Sequence, residues 1–241
     1  MTFDSFTVAS WNIEKNGQSS RIEKRSKVDT FISYCCNKRI DIIFLCEVHG
    51  ARLDDYLNNL SLVYFDNYDI HSFEGGKSNG YIIMTRKRLN IELSMDKLSG
   101  LNRYIVLLSI GDFYLVLAHF KSGQLLLTRR QIKASVDFLA STGYPWAVTG
   151  DMNWDYKNII GLKLSGATET HTYWADQTHR SGGILDWCIT GSNVQTVSII
   201  DEMFVEFPDL KNMDGPDHRP IVFLFQPKPQ LSRKRKLSSI Y

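Results

Sequence analysis

Apolar residues along this chain come in short runs: FTVASWNI (6–13), DIIFLCEV (41–48), YIIMTR (81–86), YIVLLSI (104–110), FYLVLAHF (113–120), WAVTGDMN (146–153), ILDWCIT (184–190) and IVFLF (221–225). Gly, Asn, Asp or charged residues close each run, which predicts buried strands separated by turns. Helical spacing is rarer. It shows in SRIEKRSKVDTFISYCC (20–36), ARLDDYLNNL (51–60) and LTRRQIKASVDFLAS (127–141), where Ile132, Val136 and Leu139 recur every three to four residues. Eight strands against three helices, without a regular βαβ alternation, predict an α/β fold of two packed sheets with helices outside. The final stretch, QPKPQLSRKRKLSSIY, is rich in proline, serine and basic residues and reads as a tail. The folded domain is therefore placed at 1–226 and a flexible basic tail at 227–241.

Composition narrows the class. The 241 residues are 43% hydrophobic and 12% aromatic, enough to bury a large core and unlike a disordered or fibrous chain. No run nears the roughly 18 apolar residues that span a bilayer, and MTFDSFTVAS lacks the basic-then-apolar pattern of a cleaved leader. A cytoplasmic protein is the expectation. Cys35 and Cys36 are adjacent while Cys46 and Cys188 sit inside apolar runs, so neither zinc-type spacing nor a disulfide ladder is visible. Reduced, buried thiols in a reducing compartment follow. The formal charge of +2 is misleading: five of the 28 basic residues follow residue 226, leaving 23 against 26 acidic ones in the body, a net −3. A polyanion must then be held by a local patch, by the tail, or by metal ions on the acids.

Polar residues of unusual kind stand at the ends of the apolar runs. Asn12 and Glu14 end the first, Glu47 the second, His119 the fifth, and Asp151 and Asn153 the sixth, while Asp186 follows Ile184 and Leu185 in a later one and Asp217 and His218 precede the last. Strand ends along one edge of a sheet converge on a cleft. So many acids there repel one another unless a cation or a histidine proton compensates them. One such residue alone is a turn or cap. Together, hard oxygens and imidazoles suit a divalent metal with a proton donor, and Mg²⁺ fits better than Zn²⁺, which asks for more His or Cys at close spacing.

ASWNIE, FLCEV, LAHF, TGDMNW, ILDW and GPDHRP stand in an order that resembles the endonuclease/exonuclease/phosphatase superfamily, and within it the DNase I-like subunits of the cytolethal distending toxins. The resemblance implies a four-layered α/β sandwich with a metal site at one edge. It implies Glu47 as the principal metal carboxylate, with Asn12 and Glu14 completing the site and Asp217 assisting. Asp151 and Asn153 would align the attacking water and the phosphate. His218, held by Asp186, would carry the proton, and His119 would face the scissile phosphate. Family members pair that second histidine with a glutamate; here the position falls on Asn79, a neutral partner that makes His119 a phosphate binder rather than an acid. Lys121, Arg129 and Arg130 lie where the toxin subunits line the phosphate groove, although a helix's solvated face explains the arginines as well.

In a phosphodiester hydrolysis a metal, a base and a cationic donor must meet at the phosphate. The leading expectation is thus a Mg²⁺-dependent DNase, with Mn²⁺ able to substitute. A phosphatase of inositol lipids or other small phosphoesters uses the same constellation, but its motif carries an arginine that ILDWCIT lacks. A sandwich that has lost its chemistry is the third reading. Arg233, Lys234, Arg235 and Lys236 read as a nuclear-import address, with an import receptor as partner, or as a DNA anchor. The sequence identifies no delivery partner.

Overall fold

Two six-stranded sheets carry the chain, in the orders β11-β12-β1-β2-β4-β3 and β5-β6-β7-β8-β10-β9. The strands are β1 (Phe6–Asn16), β2 (Ile42–His49), β3 (Tyr68–Gly76), β4 (Asn79–Arg86), β5 (Ile91–Lys97), β6 (Tyr104–Ile110), β7 (Phe113–His119), β8 (Trp146–Asp151), β9 (Thr168–His171), β10 (Asp186–Gly191), β11 (Val194–Ser198) and β12 (Ile221–Pro227). Helices α1 (Ile22–Asn37), α2 (Leu53–Tyr64), α3 (Leu125–Ser141) and α4 (Asp201–Glu206) lie between them. This computed structural model describes residues 3–16, 22–49, 53–76, 79–97, 104–164, 168–172 and 177–229. The basic cluster 233–236 lies outside the described residues.

All eight predicted strands form, and they are the eight interior strands of the two sheets. A strand hydrogen-bonded on both sides and covered on both faces must be apolar throughout. Accordingly β8 and β10 are buried at every position. The four strands that the apolar runs do not reveal, β3, β5, β9 and β11, are the four edges. The edge strands are only partly buried, so β11 reads Val-Gln-Thr-Val-Ser with only Val194 buried. Their polar residues read as loop.

Each sheet has a parallel pair at its centre, β1 with β2 and β7 with β8. Parallel neighbours need a crossover, which α1 and α3 supply. Ile132, Val136 and Leu139 of α3 are buried as their spacing predicts. They pack with Val116, Val148 and Ile189 on the outer face of the second sheet. The larger core fills the space between the sheets, with Phe6, Phe113 and Phe225 in contact across it. Cys35, Cys46 and Cys188 are buried free thiols and Cys36 is half buried. Burial pushes Cys36 up to about 12 and Cys35 well above its ordinary value. No helix among the described residues is long and apolar enough to cross a membrane.

This topology decides where polar residues can gather. β1, β2, β7 and β8 all end at one edge of the sandwich, and the antiparallel strands β4, β10 and β12 begin there.

Candidate active site

The residues at that edge are brought there by identifiable local devices. Glu47 interrupts the register of β2 against β4 between Cys46 and Val48, and its φ is +58°. A bulge of this kind re-aims a side chain. β1 does the same between Asn12 and Asn16, with Glu14 at φ +47°. Gly150 of the TGDMN run has φ +129°, and a Cβ there would lie 2.4 Å from the Ala118 carbonyl oxygen. Only glycine lets β8 approach β7 so closely just before Asp151.

Asp151 is buried, and both of its oxygens accept hydrogen bonds. Its Oδ2 accepts from Asn12 Nδ2 and Asn153 Nδ2, both at 2.9 Å, and its Oδ1 accepts from the Asn153 N–H at 2.9 Å. Asn153 also donates to the Phe120 carbonyl at 3.0 Å, tying the β7 and β8 ends together. Across from them His218 Nδ1 lies 2.8 Å from Asp186 Oδ2, and its Nε2 is 3.9 Å from Asp151 Oδ2. The Trp11 indole N–H donates to the His218 carbonyl at 2.9 Å. Burial alone would lower the His218 pKa, but Asp186, then Asp151 and Asp217, push it up to about 10. The ring is an imidazolium at neutral pH. Burial pushes the Asp186 carboxyl up, and the charged ring beside it offsets part of that.

Thr178, absent from the sequence-based candidates, completes this pair. Its Oγ1 accepts from the N–H groups of Leu185 at 2.8 Å and Asp186 at 3.0 Å, which fixes the start of β10. His179 and Arg180 were likewise missed. The His179 ring packs edge-on against His218 with centroids 4.6 Å apart, and its Nε2 is 3.4 Å from Asp217 Oδ2. Arg180 Nη2 is 3.4 Å from Glu14 Oε1 and 3.9 Å from Asp217 Oδ2. Burial pushes the Asp217 carboxyl up, but His179, His218 and Arg180 pull it below its ordinary value. The only signal in the sequence is the polar run THRSGG just before ILDW.

The second histidine has partners other than the expected one. His119 Nε2 is 3.3 Å from Glu47 Oε1, and its Nδ1 is 3.3 Å from the hydroxyl of Tyr81, not held by Asn79. Asn79 pairs with His49 across β2 and β4, and its Oδ1 is buried without a hydrogen-bond partner. In an antiparallel strand residues 79 and 81 share a face, so the two-residue offset leaves the motif's geometry intact. Burial raises the Glu47 carboxyl, but His119, His218 and the Asn12 amide together outweigh it and hold the group below its ordinary value. Lys121 is exposed on the loop after β7, and Arg129 stands half buried in the first turns of α3.

The donors fit a divalent ion. Asn12, Glu47, Asp151 and Asp217 offer hard oxygens, the chemistry that suits Mg²⁺. Ring nitrogens of His179 and His218 also lie within 4.8 Å of an Asp217 oxygen, a closer imidazole grouping than the spacing in the sequence suggests.

The model of the endonuclease/exonuclease/phosphatase family matches residues 9–202. The chain belongs to that family. Its members are hydrolases of phosphoesters, and the two-sheet sandwich is their fold. No curated protein sequence matches the chain. Among solved structures, truncated TDP2 of Caenorhabditis elegans is 18% identical over 92% of this chain and 97% of that one, with a TM-score of 0.66. D. rerio TDP2 complexed with a single-strand DNA product is 15% identical over 92% and 99%, with a TM-score of 0.64. ANGEL2, a 2',3'-cyclic phosphatase in complex with adenosine-2',3'-vanadate, is 12% identical over 95% and 97%, with a TM-score of 0.65. At such identities the likeness is one of fold. Resemblance to the toxin subunits rests on the six motifs alone.

Proposed function

We propose that this member of the family is a divalent-metal-dependent endonuclease that hydrolyses DNA phosphodiester bonds. The observation that carries the reading is the line Asp186–His218–Asp151: a buried imidazolium held at 2.8 Å on one nitrogen and facing, at 3.9 Å on the other, a carboxylate pinned by two asparagines. Such a line places a cationic donor and a base side by side. His218 Nε2–H points at the phosphoryl oxygen on which charge grows. Asp151, with Asn153 fixing its orientation, takes the proton of the attacking water. His119, turned by Tyr81, binds a second phosphate oxygen.

A bound Mg²⁺, for which Mn²⁺ can substitute, would be held by Asn12 and Glu47 and would neutralise charge on the phosphate. DNA as substrate draws on the TDP2 structure that holds single-strand DNA product, and on the ILDWCIT run, which lacks the arginine of the inositol-lipid phosphatases. Trp187 and Cys188 of that run are buried and serve packing. A plasmid-nicking assay tests the proposal. Nicking is expected with Mg²⁺ or Mn²⁺, with loss in EDTA and recovery when either ion is restored. Undiminished nicking in EDTA would remove the metal from the reading. Release of phosphate from a phosphoinositide with no nicking would replace the substrate.

A further inference from the structure

Residues 178–180 run antiparallel to 217–219. The Arg180 N–H donates to the Asp217 carbonyl at 2.9 Å and the Arg219 N–H to the Thr178 carbonyl at 2.8 Å, with His179 opposite His218. This short ribbon fixes the backbone that carries Arg180. Its guanidinium then spans the mouth of the site, with Nη2 at 3.4 Å from Glu14 on the β1 bulge and 3.9 Å from Asp217 in the turn before β12. Nη1 donates to the Met213 carbonyl at 3.3 Å. The carboxylates thus fall into two groups. Glu47 and Asp151 face His119 and the amides of Asn12 and Asn153, while Glu14 and Asp217 share Arg180.

We infer that Arg180 is a built-in cation of the site, which occupies Glu14 and Asp217 and so limits the cleft to one divalent ion, at Asn12 and Glu47. The inference rests on the metal reading given above and concerns what sets the number of ions. Its basis is geometry. Glu14 lies on the β1 bulge and Asp217 on the turn before β12, and the one guanidinium between them meets both. A second divalent ion would have to displace that guanidinium from two carboxylates. Without Arg180, Glu14 and Asp217 lose the cation they share and are open to a second ion. Arginine suits the role because its planar fork reaches two carboxylates at once and it never loses its proton. Glu14 and Asp217, which the family resemblance assigns to the metal, are in this account partners of a protein cation.

Mn²⁺ binding to the full chain, measured without substrate by electron paramagnetic resonance and calorimetry, tests the inference. Wild type is expected to take one tight ion per chain and Arg180→Gln two. Glu14→Gln in the wild-type background should leave the affinity of the single ion within about threefold, since Glu14 is not its ligand; in the Arg180→Gln background it should abolish the second ion. Two tight ions in wild type, or one in a folded Arg180→Gln variant, would overturn the inference. So would a loss of about tenfold or more in single-ion affinity in Glu14→Gln, which decides the matter even if Arg180→Gln does not fold. No tight ion in any of these proteins would overturn the metal reading itself, and the inference with it. Substrate identity does not enter the measurement, so a failure of the DNA assignment leaves a separate signature.

Discussion

Replacing Asp186 with asparagine keeps the shape of the side chain and removes the charge that faces His218 Nδ1 at 2.8 Å. Burial alone would lower the imidazole pKa; Asp186, then Asp151 and Asp217, raise it from 6.5 to about 10. At about 1.4 kcal/mol for each pH unit, that is a preference of ~5 kcal/mol for the charged ring, and Asp186 is its principal anionic source. Without it the buried ring reverts toward the neutral form and loses the proton it points at the phosphate. Plasmid nicking at pH 7 should fall by about 10²–10⁴-fold, the range of one general acid or base. The alkaline limb of the rate profile should move to lower pH. Stability follows the same linkage. Because the folded pKa lies above the unfolded one, the ion pair's contribution is fully present below about pH 6.5 and is lost as pH rises through about 10. The Tm advantage of wild type over Asp186→Asn should therefore narrow across that window. Nicking rates over a pH series, with calorimetry alongside, measure both. A variant that nicks within about tenfold of wild type at pH 7, or a Tm gap that widens with pH, would refute the view that Asp186 acts through its charge on His218.

Two further substitutions probe the scaffold and the second histidine. Gly150→Ala sets a Cβ 2.4 Å from a backbone oxygen at φ +129°, so β8 must part from β7; the expected loss of about 3 kcal/mol or more lowers Tm by roughly 6–12 °C, and an unchanged Tm would contradict the packing described. Tyr81→Phe removes the hydroxyl facing His119 Nδ1 while keeping the ring in place. It should cost about tenfold or less in kcat, against about a hundredfold for His119→Ala, and equal losses would show that the hydroxyl does more than orient the ring.

What the sequence reveals divides along the line between interior and edge. Runs such as WAVTGD announce themselves because both faces of β8 are buried, and the polar residues that end them stand out against that background. Asn12, Glu47, His119, Asp151, Asn153, Asp186, Asp217 and His218 are all gathered at one edge for that reason. The edge strands leave no such contrast, since Tyr-Asp-Ile-His-Ser-Phe in β3 is half solvated and reads like loop. Thr178, His179 and Arg180 are invisible for a related cause. Their place depends on a loop folding back to pair with residues 217–219, a contact of long sequence separation that no local period encodes. The misplaced partner of His119 is a smaller case. Counting along β4 gives the right face, and only the sheet register distinguishes Tyr81 from Asn79.

The backbone at the site shows what the chemistry costs the fold. Glu14, Glu47 and Asn153 all adopt left-handed φ, at +47°, +58° and +48°. Asparagine tolerates that region, but glutamate gains nothing there, and each such residue costs on the order of 1–2 kcal/mol. A sequence selected for stability alone would carry glycine at 14 and 47. Glutamate at both positions is intelligible only if the carboxylate is needed where the bulge sends it. The two bulges nevertheless differ in what they deliver. Glu47 is turned inward to His119 and the Asn12 amide, whereas Glu14 is turned outward to Arg180 on a different loop. Identical local strain thus serves two ends, one carboxylate offered to the reacting phosphate's ion and one held in reserve by an arginine, and the difference lies in the partner across the cleft rather than in the strand that bears either residue.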